Sequence, residues 1–162
     1  MFWEILQPFV TWLGNTAFAL WLGQSTGRIA WLFIFHLFGL TMLLGTTLFM
    51  SLRLLGFVMP RQPVAQLRSE LRTWNLLGLV LMLVSGFLIF MGGATNYFDG
   101  AWFRTKMKFL FVALIFHFTF FRVVTRADEG RFGSLSNKLT GIVSLVLWFG
   151  VAVSGRAIAF FS

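Results

Sequence analysis

The chain contains no cysteine, only five acidic side chains and only three prolines among its 162 residues. The missing thiol excludes disulfide frameworks, iron–sulfur clusters, thiolate zinc sites and covalent c-type haem attachment. Charged residues make up 11% of the chain, against about a quarter in a soluble domain, which leaves too little polar surface to face water all round. Gly-rich phosphate loops and the His-Glu-x-x-His metal helix are also missing, and no acid falls within an apolar run where it would serve as a proton relay.

Hydrophobic residues fill the sequence instead. They form 58% of it, with 22 phenylalanines, seven tryptophans and a mean hydropathy of +0.84. This is the composition of an integral membrane protein. The thirteen Lys and Arg give a net charge of +8, but they stand between apolar runs and not on one basic face, so nucleic acid is not the expected partner.

A transmembrane helix needs roughly 20 mostly apolar residues. Four segments satisfy this, at about 29–52, 73–91, 102–124 and 139–160, where the third includes basic side chains able to snorkel to the headgroups. Residues 1–27 are apolar but interrupted by Glu4, Gln7, Pro8, Gly14 and Asn15, and carry Trp3, Trp12 and Trp21. They read as an amphipathic helix in the interface, with a fifth span as the alternative, and not as a cleavable signal peptide. The expected fold is therefore an all-α integral membrane protein: a four-helix transmembrane bundle over 28–162 preceded by an interfacial helix.

Eight of the basic residues flank the first and third connections between spans: Arg53, Arg61, Arg68, Arg72, Arg122, Arg126, Arg131 and Lys138. Five lie on the other side, and the excess places both termini on the periplasmic face of a bacterial inner membrane. Among the five, Arg28, Arg104, Lys106 and Arg156 occupy span ends expected to converge. Such a rim suits lipid phosphates or the propionates of a haem.

The two histidines, His36 and His117, both fall inside spans, where an ionisable side chain requires a partner. Counted from Ile29 and Lys108, they lie about 10 and 13 Å along helices that run the same way. Two imidazoles at one level suit the axial positions of haem b. Lys106, Leu110, Ala113, His117 and Phe120 follow one helical face, and Gly39, one turn after His36, would admit a flat macrocycle or a neighbouring helix. Alternatives remain open. The histidines could bond Ser, Thr or backbone, and Met42, Met50, Met82 and Met91 could supply thioethers for copper transport or serve as ordinary packing. Thr46, Thr47, Ser85, Ser144 and Ser154 are expected to bond the preceding turn, and Glu70, Asp99, Asp128 and Glu129 to be solvated loop acids.

The segment HLFGLTMLLGTTLFMSLRLLG, with His36, Gly39, Gly45 and Arg53, resembles an uncharacterised family of small bacterial inner-membrane proteins. The resemblance continues through NLLGLVLMLVSGFLIF and AWFRTKMKFLFVALIFHFTFFR. It implies that His36 and the basic start of span three belong to a shared design. More distantly, the chain is similar to the copper-resistance D-like membrane domain and to the haem-associated protoporphyrinogen oxidase family. The latter resemblance implies a His36 and Lys106 functional pair.

The sequence thus points to a haem b-binding electron-transfer or anchoring subunit, with His36 and His117 as metal ligands and Gly39, Arg104, Lys106 and Arg156 around the cofactor. Membrane quinone and a periplasmic cytochrome or dehydrogenase are the redox partners expected by analogy. A cofactor-free accessory subunit, packing through its Phe-rich faces in a membrane complex, is the alternative of another class. The oxidase-like enzyme and the copper transporter stand behind these.

Overall fold

The computed structural model describes residues 2–59, 61–126 and 133–161. Asp128, Glu129 and Arg131 lie outside the described residues. The helices are α1 (Phe2–Gly14), α2 (Ala17–Gly23), α3 (Thr26–Leu55), α4 (Val64–Met91), α5 (Ala94–Phe98), α6 (Ala101–Phe116), α7 (Arg122–Arg126) and α8 (Ser134–Phe161). A π-helical segment, His117–Phe121, joins α6 to α7 without a break.

Four helical stretches are long and apolar enough to cross a membrane: α3, α4, the continuous run 101–126, and α8. Most of each span is unburied within the bundle, and Trp31, Phe38, Phe111 and Phe149 point outward. Lipid tails tolerate such faces as water does not, so the bundle is built for a bilayer. It is a multi-pass membrane protein.

The amino-terminal segment is two short helices and not the single one expected. The chain breaks at Asn15–Thr16, where Thr16 leaves the helical region and its Oγ1 accepts a hydrogen bond from the Ala19 N–H to start α2. At 13 and seven residues, neither helix reaches across a hydrocarbon core of about 30 Å by itself. α1 packs on α5 through Val10, Ala94 and Phe98, with Trp3 edge-on to Phe98. Together they cap one end of the bundle.

The spans are joined asymmetrically. α3 packs along α4 and α8, and α6 packs along α8, whereas α4 meets the third span chiefly at its far end, through α7. Leu43, Leu79, Met82, Ala113, Trp148 and Val151 fill the centre, and Met50, Leu54, Leu67, Phe121 and Val124 close the α7 end. Between α4 and α6, on the α1 side of that centre, the bundle opens.

Glycine sets the tightest crossing. A Cβ on Gly39 would stand 2.7 Å from the Met82 backbone nitrogen, and one on Gly78 would stand 2.7 Å from that of Leu43. Only residues without side chains let two helix backbones approach this closely. At the α7 end the same two helices are clamped by Asn75, whose amide donates to Thr46 Oγ1 at 2.8 Å and Thr47 Oγ1 at 3.0 Å.

Candidate functional site

The Gly39–Gly78 crossing brings His36, one turn earlier on α3, against α4. Its Nδ1 lies 3.0 Å from the Met82 carbonyl oxygen and 3.2 Å from Ser85 Oγ. A carbonyl only accepts, so Nδ1 carries the hydrogen. Ser85 gives its own proton to the Leu81 carbonyl at 2.5 Å, which leaves its oxygen free to accept. In the neutral ring Nε2 therefore keeps its lone pair. The imidazole lies on Gly86, where a Cβ would stand 2.9 Å from His36 Cε1.

His36 stands at the junction of two cavities. One, of about 620 Å³, lies between α4 and α6 beneath α1, and Leu13, Phe87, Phe90 and Phe103 are among its apolar walls. The other, of about 280 Å³, lies between α3 and α8. Both are lined by His36 and Lys106, and Lys106 is near enough to act on the imidazole electrostatically. The Lys106 stem runs over Gly155, where a Cβ would meet Nζ at 3.3 Å. Among the described residues, Lys106 has no hydrogen-bond or acidic partner. The arrangement offers a nitrogen lone pair and a cation in one apolar space, and its larger part falls within the several hundred cubic ångströms usual for a cofactor pocket.

The other expected members of the site divide. Arg156 lines the smaller cavity with its guanidinium over the Phe160 ring at 4.5 Å. Arg104 is turned to the cap, donating to the Phe98 carbonyl at 3.1 Å, pairing with Asp99 at 3.5 Å and lying over Trp3. Arg28 bonds the Trp21 carbonyl and covers its ring. The four-cation rim therefore does not converge, because two of its members are held by helix ends and aromatic faces of their own. Gly39 belongs to the helix crossing and lines neither cavity.

His117 is separated from His36. It is buried, stacked on Phe121 at 5.3 Å and edge-on to Trp148 at 6.0 Å, and lines a cavity with Thr46 and Thr47. Lys106 is level with His36, and His117 lies eleven residues further, about 16 Å along the helix. Ile29 and Lys108, the residues from which the two depths were counted, do not stand at one level. One macrocycle cannot take both rings as axial ligands. Phe120 is 68% exposed because the wide π turn carries Phe121 inward in its place.

The methionines do not assemble a thioether site either. Met50, Met82 and Met91 are divided among three separate apolar clusters. Among the described residues no group of three or more His, Cys, Asp or Glu gathers for a metal ion. Ser85 and Gly86 are the positions that sequence reasoning left without a site role. The histidine opposite them was the available signal, but only the crossing of α3 and α4 identifies which turn it meets.

Residues 9–161 match the profile of the family of unknown function DUF6644, and the chain belongs to that family. No curated protein and no solved structure matches it.

Proposed function

We propose that this member of a family without assigned activity is a haem b-binding subunit of the bacterial inner membrane, in which His36 would ligate the iron. The observation carrying this reading is the hydrogen bond from His36 Nδ1 to the Met82 carbonyl beside an apolar cavity. Histidines that ligate metals almost always donate their other ring N–H in this way, which fixes the tautomer and the ring orientation. Lys106 and Arg156 would offer positive charge to propionates, Gly86 gives the ring its space, and the phenylalanine walls suit a porphyrin. When bound, the haem would supply one-electron transfer.

In this reading His117 plays no part in ligation, and the partners would be membrane quinone and a periplasmic redox protein. The excess of Lys and Arg around the α3–α4 and α7–α8 connections supports periplasmic termini. Titration of the detergent-purified chain with haem tests the proposal. Saturation at one equivalent, weakened by Lys106→Met, is expected, and the absence of saturable binding overturns it.

The proximity of Lys106 to His36 also favours a second reading, an enzyme that oxidises a porphyrinogen with quinone as the acceptor. Protoporphyrinogen conversion in membranes, lost in both His36→Ala and Lys106→Met, is its expected signature. Conversion no faster than in membranes without the protein removes it.

A further inference from the structure

The bundle carries another cavity, with basic side chains in its lining, at the opposite end, away from His36. It measures about 80 Å³ and is lined by Arg68 and Arg72 of α4, Arg122 of α7, and His117 of the π segment. No acid lines it. Arg72, Arg122 and Arg126 each repel Arg68, which in turn acts on His117. Among the described residues, none of Arg68, Arg72 and Arg122 donates a hydrogen bond or pairs with an acid.

His117 points to what the cavity takes. The residue is 9% exposed, and its Nδ1 is buried without a hydrogen-bond partner among the described residues. A buried polar atom left unpaired is costly, as is a set of cations at the edge of a low-dielectric slab with no acid against them among the described residues. The π turn helps to hold His117 there, and short π segments recur at functional sites. The Asn75 clamp on Thr46 and Thr47 closes the α3 side of the same cavity.

We infer that this cavity binds the phosphate oxyanion of an anionic phospholipid headgroup or of a free phosphate, held by Arg68, Arg72 and Arg122 with His117 donating from the bundle side. The size admits a small tetrahedral anion and excludes a macrocycle. Leu76 and Phe118 line the cavity and are exposed on the bundle surface, which offers a path for acyl chains. The inference is independent of haem at His36.

Two histidines in the whole chain make the test clean. The full chain, delipidated in a neutral detergent and labelled with ¹⁵N-histidine, is titrated with short-chain phosphatidylglycerol, with phosphatidylcholine and with inorganic phosphate. The His117 signals are expected to shift on saturation with at least one of the first and third probes, while those of His36 stay in place. Phosphatidylglycerol alone identifies a lipid site; inorganic phosphate as well identifies a site for the bare oxyanion. Arg68→Gln and Arg122→Gln are each expected to weaken binding roughly tenfold, the loss of one charged hydrogen bond. An unmoved His117, an equal response to phosphatidylcholine, or undiminished affinity in both variants with the His36 signals intact would overturn the inference.

Discussion

The Nδ1 of His36 and the carbonyl oxygen of Met82 lie 3.0 Å apart, on different helices. Gly39 and Gly78 make this possible, since each sits where a methyl group would strike the other helix's backbone. One helix crossing therefore fixes the orientation of a ring that lines both cavities beside Lys106. The packing and the candidate chemistry share a cause.

Enlarging that crossing is expected to be destabilising. Gly78→Leu should cost about 1–3 kcal/mol, the usual range for overpacking a tight interior. Unfolding in detergent by denaturant measures it. A variant as stable as the parent would show that the two backbones are not held at this distance.

Gly86→Ala acts on the site more selectively. The added methyl group would stand 2.9 Å from His36 Cε1, so the ring must turn or withdraw. Haem affinity should fall about tenfold or more, the equivalent of roughly 1.4 kcal/mol, with the thermal midpoint changed little. Haem titration against a melting curve separates the two effects.

Asn75→Ala should loosen the other end of the α3–α4 pair. Two side-chain hydrogen bonds are lost, but such bonds between membrane helices average only about 0.6 kcal/mol each, so a loss near 1 kcal/mol is expected. Hydrogen exchange in the turns around Thr46 and Asn75 should quicken while the His36 end keeps its protection.

Arg104→Ala tests the assignment of this residue to the cap. Its removal frees the Phe98 carbonyl and exposes the Trp3 face, so exchange in α1 and α5 should rise. Haem affinity should remain within about twofold of the parent, since Arg104 lines neither cavity beside His36. A loss as large as that of Lys106→Met would return Arg104 to the site.

The four spans were legible because uninterrupted apolar stretches of this length have one stable solution in lipid. The amino-terminal break was visible only as residues, Gly14, Asn15 and Thr16, whose turn chemistry was outweighed by the apolar run around them. Relative depth was not legible. It depends on which turn of one helix lies opposite which turn of another, and Lys106, not His117, proved level with His36. The π turn at His117–Phe121 likewise leaves no compositional mark, yet it decides that Phe121 packs inside and Phe120 does not. Gly39 could be recognised as a place of close approach, but the sequence did not say whether to a cofactor or to Gly78.

The reduced visible spectrum of the purified, haem-loaded chain and its two histidine variants is the most direct test of the central claim. The parent and His117→Ala should both show the sharp α-band of a b-type haem, and His36→Ala should lose it. A band that survives in His36→Ala, or that disappears in a folded His117→Ala, would contradict His36 as the axial ligand.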